Sequence, residues 1–323
     1  MAAIEIEGLT KVYVRDFLDI EHGRLKFRLK NRRTVALEGL TMQVERGEIF
    51  GLLGPNGAGK TTTIKILMGI HFATSGTARI LGAPLGDRSI KARIGFLPEN
   101  PYFYDYLTGR EFLNFYGQLY GIPRKRRREK IEELLELVGL PPHAHDLPLR
   151  GYSKGMNQRI GLAQCLLNDP DIVVLDEPQS GLDPLGRKDV RDIIVGLREA
   201  GKTVFFSSHI LQDAELICDR VAILLRGRLK AMGHMNELLS RRVNEWEIQF
   251  SGAPTETVEA WAPRLKKLIR SQEEFLAIAT EEDLAREIIR TVVEKGGTLL
   301  QVTPRRQTLE DYFLAEVAAG GDA

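Results

Sequence analysis

The sequence predicts an α/β architecture built on a mainly parallel sheet, followed by a smaller α+β unit. Three observations carry that expectation. Short, wholly apolar runs alternate with one-faced helical patterns. The first of those runs leads straight into a glycine-rich loop and then a helix. Past Leu239 the texture changes, with weaker strand-like stretches and a few amphipathic helices. At 323 residues, 43% hydrophobic and 28% charged, the chain has material for two cores.

Residues 4–9 and 41–44 alternate apolar and polar, as half-buried antiparallel strands do. The run 49–53 (IFGLL) is fully apolar and ends at Gly54, which reads as a buried strand feeding a turn. Thr62, Ile64, Ile66 and Leu67 continue it as helix, and 94–97 is another short strand. Residues 110–140 read as helix, with Ile131, Leu134, Leu135 and Val138 on one face and Gly139 and Pro141 as the stop. Further buried strands are expected at 171–176, 203–206 and 221–225, with a helix carrying Val190, Ile193, Ile194 and Leu197 and ending at Gly201. Gly227 begins a turn. Beyond Leu239, strands are expected at 245–250, 275–279 and 299–302, a helix through Leu284, Ile288 and Val292, and a closing helix at 308–317. The expected domains are therefore 1–239 and 240–323.

Composition removes several classes. A net charge of +1 provides no global field for nucleic acid, and none is expected as a partner. Cys165 and Cys218 lie in apolar contexts without metal-ligand spacing and read as buried free thiols of a reducing compartment. The opening MAAIEIEG lacks a basic segment leading into an apolar one, so no signal peptide is expected. The longest apolar runs are strand-sized, well short of the roughly 20 residues that span a bilayer.

GPNGAGKT fits the phosphate-binding pattern G-x-x-x-x-G-K-[ST] over Gly54, Pro55, Asn56, Gly57, Ala58, Gly59, Lys60 and Thr61, with Thr62 next. Glycines let the backbone curl so that its N–H groups point at phosphate oxygens, at the start of a helix whose dipole favours anions. Lys60 reaches the β- and γ-phosphates of ATP, and the Thr61 hydroxyl suits Mg²⁺. The strand IVVLDE ends in two carboxylates. Asp176 is placed to hold Mg²⁺ and Glu177 to polarise an attacking water. His209 follows the strand TVFFSS, whose end belongs on the same edge of a parallel sheet. His22, His71, His143, His145 and His234 have no such placement and read as surface residues.

This ordered set resembles the nucleotide-binding subunit of an ATP-binding-cassette (ABC) transporter over residues 4–239. The resemblance implies a P-loop NTPase core of the ABC type, with an antiparallel β subdomain and a helical subdomain at about 98–168. YSKGMNQR, which begins at Tyr152 and ends at Arg159, is similar to the family's signature loop, and Ser153 and Gly155 retain the residues that touch the γ-phosphate bound by the opposite subunit. Lys154 and Met156 depart from the commonest form and resemble a large bacterial exporter subgroup. Ser153 also reads as an N-cap. SGLD, ending at Asp183, resembles the loop that joins the two subunits beside Glu177. His209 matches the switch histidine, and Tyr13 the aromatic that stacks on adenine. Glu99 stands where the family has a glutamine near the metal. It can still meet Mg²⁺ or its water, at the cost of a negative charge near phosphate.

Two readings stand for Tyr102, Phe103, Tyr104 and Tyr106: a docking surface for a transmembrane partner, or packing within the helical subdomain. The segment 15–33, basic and apolar by turns, reads as an extended β-hairpin or as a contact for anionic lipid. The basic run Arg124, Lys125, Arg126, Arg127 and Arg128 opens a helix against its dipole and needs compensation. The tail beyond Leu239, including TLEDYF, resembles the extra C-terminal domain of bacterial exporter ATPases. Taken together, the resemblance implies an ATP hydrolase using ATP and Mg²⁺. It implies a head-to-tail dimer with a second copy, a separate transmembrane permease, and a cytoplasmic place on the inner face of the membrane. The rival reading is a soluble ABC-type ATPase acting on ribosome or DNA. Against it stand a single cassette and the lack of a long heptad run. A kinase or GTPase would lack the signature loop.

Overall fold

The computed structural model describes residues 2–21, 24–239, 243–272, 274–306 and 308–319. The chain divides into two compact units, Met1–Met235 and Asn236–Ala323.

The first unit opens with a long antiparallel ladder. Strand β1 (Ala2–Glu21) pairs with β2 (Arg24–Glu45), from Ala2 opposite Glu45 to Glu21 opposite Arg24. The ladder includes the hairpin expected for 15–33. The basic-and-apolar partition expected there concerns side chains outside the described residues, as does His22. Next come β3 (Ile49–Leu53) and α1 (Lys60–Leu67). The short β4 (Ser75–Ile80) and β5 (Ala83–Pro84) then join the first sheet in the order β2-β1-β4-β5.

A second sheet runs through the middle of this unit. Its strands are β6 (Ile94–Leu97), β7 (Ile172–Asp176), β8 (Thr203–Ser208), β9 (Arg220–Leu225) and β10 (Arg228–His234), together with β3, in the order β10-β9-β3-β8-β7-β6. All neighbours are parallel except the edge pair β9–β10. Every residue of β3, β7 and β8 is buried, which is why their middles read as apolar runs, with polar Asp176, Ser207 and Ser208 only at the carboxyl ends of β7 and β8 and Thr203 at the start of β8. One apolar cluster joins the two sheets: Ile4, Leu37, Leu40 and Val44 pack with Phe50, Leu52, Ile64, Phe205 and Leu224.

Between β6 and β7 the chain is helical, but the helix expected over 110–140 is two. α2 (Gly109–Leu119) and α3 (Arg124–Leu137) are separated by Gly121, at φ +70°, and by Pro123, which has no N–H to continue a helix. Thr108 and Glu111 form a reciprocal capping box at the start of α2. α3 has no acidic residue in its first turn; Arg127 instead donates to Asn114 Oδ1 (2.8 Å) and to the Ile122 carbonyl (2.6 Å), turning one basic charge back onto α2. α4 (Lys154–Leu166) follows, and Cys165 on it is buried and free, as is Cys218. α5 (Pro184–Glu199) links β7 to β8, and α6 (Leu211–Ile217), absent from the sequence reading, links β8 to β9.

The short helix α7 (Met235–Leu238) precedes the second unit's sheet. There β11 (Val243–Ser251), β12 (Lys267–Ser271), β13 (Glu274–Ala279) and β14 (Thr298–Arg306) form an antiparallel sheet in the order β12-β13-β11-β14. It has four strands where three were expected. α8 (Thr255–Trp261), also unanticipated, and α9 (Glu282–Glu294) contribute Trp261, Leu284, Ile288 and Val292 to a core with Ile248, Phe250 and Phe275. α10 (Leu309–Ala319) is the last element among the described residues.

Candidate functional site

Strand register assembles the site. Leu53 lies opposite Ser208, Asp176 opposite Ser207, and Leu97 opposite Leu175. The carboxyl ends of β3, β8, β7 and β6 therefore share one edge of the sheet, where ligands of such sheets bind. Gly54, His209, Glu177 and Glu99 all emerge there.

The loop after β3 is held by packing as well as by its chemistry. Gly59 has φ +108°, and a Cβ there would lie 2.5 Å from the Ala36 carbonyl oxygen and 2.7 Å from Leu37. Only glycine satisfies both the left-handed backbone and that approach. α1 begins at the next residue, so its first-turn N–H groups, which have no partners within the helix, face the loop's concavity. Lys60 is buried and donates to the carbonyls of Gly54 (2.7 Å) and Pro55 (3.2 Å).

Two connected chains of polar contacts cross the edge. In one, Thr61 Oγ1 donates to Asp176 Oδ1 (3.1 Å), and Ser207 Oγ donates to the same oxygen (2.7 Å) while accepting the Glu177 N–H (2.9 Å). In the other, Lys60 Nζ lies 3.1 Å from Glu177 Oε1, and His209 Nδ1 lies 2.7 Å from Glu177 Oε2. Glu177 sits at φ +50°, a left-handed conformation costly for a residue with a Cβ. Burial pushes the Asp176 carboxyl above its ordinary range; the Ser207 and Thr61 hydrogen bonds work against this, and the nearby Glu99 and Glu177 charges add to it.

Lys60, Thr61, Glu177 and His209 line a cleft of about 620 Å³ with Asn56, Gly57, Ala58, Gly59 and Thr62 of the loop, Glu99 from beyond β6, and Tyr13 with Thr34, Val35 and Ala36 at one end; Asp176 and Ser207 lie buried behind Thr61 and Glu177. Tyr13 and Thr34 are register partners on β1 and β2, so one ladder supplies this end of the cleft. Glu99 is exposed and lines the cleft, presenting a carboxylate where the resemblance implies an amide. The donor set around Asp176 is all oxygen, with a hydroxyl beside a carboxylate. It fits Mg²⁺ held by one or two carboxylates together with phosphate oxygens. Among the described residues no cluster of three or more His, Cys, Asp or Glu suits a metal ion, so no self-contained metal cage competes with that arrangement.

Three expected site residues lie elsewhere. Ser153 caps α4, accepting from Met156 N–H (3.3 Å), and Asp183 caps α5, accepting from Gly186 N–H (2.8 Å). Gly155 lies near Leu182, and none of the three lines the cleft. Lys154, the departure in the signature loop, lays its side chain over Gly181 of SGLD, close enough to meet a Cβ there. Of the four aromatic residues, Phe103 packs edge-on against Phe112 at 4.9 Å, while Tyr102, Tyr104 and Tyr106 are exposed.

Sequence reasoning missed Ser207 and took Ser180 only as the start of SGLD, whereas Ser180 itself lies at the cleft. The signal for Ser207 was a hydroxyl directly after the apolar run 204–206 of a fully buried strand. It also misplaced two histidines. His71 and His145 are half-buried, His71 with its Nδ1 2.7 Å from the Tyr13 hydroxyl and His145 with its Nε2 2.8 Å from the Leu140 carbonyl.

Comparison with known proteins agrees with this geometry. The family model described as ABC transporter matches residues 37–180. An uncharacterized ABC transporter ATP-binding protein of Nostoc sp. (strain PCC 7120) is 46% identical over 288 residues, covering 89% of this chain and 84% of that protein. The Nod factor export ATP-binding protein I of Rhizobium sp. (strain N33) is 35% identical over 283 residues, covering 87% of this chain and 91% of that protein. A solved ATP binding subunit of an ABC transporter superposes with a TM-score of 0.60 at 30% identity, over 73% of this chain and 91% of that one.

Proposed function

This chain belongs to the ABC transporter ATP-binding proteins, a family of ATPases, and on that premise we propose that it powers a membrane exporter through ATP-driven closure of a head-to-tail dimer. The observation that carries this reading is the convergence of Lys60, Thr61, Glu177 and His209 on one cleft, with Asp176 hydrogen-bonded behind Thr61.

The triphosphate of ATP lies along the loop from Gly54 to Thr61 and the start of α1, with the base toward Tyr13. Lys60 exchanges its Glu177 partner for phosphate oxygens. Thr61 and Asp176, with Glu99 nearby, would hold Mg²⁺, which when bound neutralises phosphate charge. Glu177, released from Lys60 and still held by His209, takes the proton of the attacking water as its oxygen bonds to the γ-phosphorus. The bond to the departing ADP oxygen breaks. Ser153 and Gly155 of a second copy cover the γ-phosphate from the other side, with Asp183 at the junction. Among the described residues no helix is long and apolar enough to cross a membrane. A separate transmembrane permease would do the spanning, docking near the exposed Tyr102, Tyr104 and Tyr106 and holding this subunit on the inner face of the membrane. Export is favoured by the name of the Rhizobium relative, and the second unit is read as an accessory domain.

The test is Glu177→Gln. Hydrolysis should fall by about a hundredfold or more while ATP still binds, and an ATP-dependent dimer should accumulate on sizing. Wild-type turnover by this variant would sink the assignment of the base.

A further inference from the structure

We propose that His71 is a positioning residue for the nucleotide base: it fixes the Tyr13 ring in the cleft by holding its hydroxyl. The inference rests on the reading of Tyr13 as the residue that stacks on the base.

Tyr13 lines the cleft, and its hydroxyl lies 2.7 Å from His71 Nδ1. The two rings meet edge to face, with centroids 5.8 Å apart and planes at 76°. A second constraint comes from Lys11, whose ammonium sits over the Tyr13 ring at 4.9 Å from its centroid and donates to the Phe72 carbonyl at 2.7 Å. One face of the ring is thus covered and its far end pinned, which leaves the opposite face for a planar base.

His71 is itself held. Its N–H and that of Ile70 both donate to the Lys65 carbonyl in the last turn of α1, at 3.1 and 2.8 Å. Thr74 N–H donates to the Thr10 carbonyl (2.8 Å), and Thr74 Oγ1 accepts from Val12 N–H (3.0 Å), which straps the segment after α1 along β1. His71 does not line the cleft and so acts only through Tyr13. One helix thereby serves both ends of the nucleotide: the start of α1 carries Lys60 and Thr61, and the segment after its end carries the histidine that sets the aromatic ring. A ring already fixed in its binding pose loses less freedom when the base arrives.

The test uses the full chain and two probes, Mg-ATP and inorganic tripolyphosphate, the second having no base. His71→Phe and Tyr13→Phe each delete the hydrogen bond and keep a ring. Each should raise the Kd for Mg-ATP by about three- to tenfold. The double variant should be no weaker than the weaker single one, and His71→Gln, which keeps an acceptor, should recover most of the loss. His71→Phe should also raise KM for ATP while leaving kcat within about twofold. Affinity for tripolyphosphate should stay within about twofold throughout, because phosphate contacts are untouched. The proposal is overturned if His71→Phe leaves ATP affinity unchanged while Tyr13→Ala weakens it, or if ATP and tripolyphosphate weaken together. If Tyr13→Ala itself leaves ATP affinity unchanged, the stacking reading fails and the role of His71 fails with it. Should His71→Phe not fold, Tyr13→Phe carries the same comparison.

Discussion

Ser207 joins the two carboxylates more directly than any other residue. Fully buried, it gives its hydroxyl proton to Asp176 and accepts the N–H of Glu177, a residue in a left-handed backbone conformation. Such strain persists only where the surroundings over-determine it, and Ser207 is one of the groups that do so. Ser207→Ala leaves the Glu177 N–H buried without this acceptor, a loss of about 1–3 kcal/mol in stability. We expect kcat to fall by roughly tenfold, with KM for ATP within about threefold. Phosphate-release kinetics and urea denaturation check both, and an unchanged kcat would mean that the sheet alone sets Glu177. The sequence revealed Lys60, Thr61, Asp176, Glu177 and His209 because each sits at a fixed offset from a strand end. Ser207 and His71 were not legible in that way. Their roles depend on partners 31 and 58 residues away, and neither belongs to a periodic pattern.

At the scale of elements, buried strands and long amphipathic helices were readable from apolar runs and one-faced spacing. The failures have local causes. The stretch 110–140 kept a helical pattern across Gly121 and Pro123, so the break between α2 and α3 was passed over. α6 and α8 have seven residues each, and β12 is mostly exposed, so none shows a clear period. Packing between elements is equally hidden, and Gly95 makes it testable. β6 passes under α4 there, and a Cβ at Gly95 would overlap the Cys165 carbonyl and approach its Sγ at 2.7 Å. Backbone and a buried thiol cannot step aside cheaply, so Gly95→Ala should cost about 1–3 kcal/mol. Gly196, inside α5, has no atom within 4 Å of the corresponding position, and Gly196→Ala should stabilise by about 0.4–1 kcal/mol. Urea midpoints followed by circular dichroism should move in opposite directions for the two variants. A loss at Gly196 would show that this helix face is covered.

At the scale of the whole molecule, one chain holds two incomplete halves of the proposed chemistry. Lys60, Thr61, Asp176, Glu177 and His209 are assembled, whereas Ser153 caps a different helix, Gly155 lies in that helix's first turn, and neither lines the same cleft. The sequence displayed both sets of residues in order, but only the fold separates them. If a closed, two-fold symmetric dimer completes each site, then each site takes its loop lysine from one copy and its signature serine from the other. Complementation tests this directly. Lys60→Ala and Ser153→Glu variants, each alone, should be nearly inactive, the first lacking the phosphate-binding ammonium and the second placing a carboxylate against the γ-phosphate. In a mixed dimer of the two, one site contains both lesions and the other contains neither. An equimolar mixture forms mixed dimers in about half of its pairs, each with one intact site of two, so roughly a quarter of wild-type hydrolysis should return. Recovery should rise with total protein concentration, because association limits it. If each site were completed within a single chain, mixing would restore nothing at any concentration, and the head-to-tail arrangement would have to be abandoned.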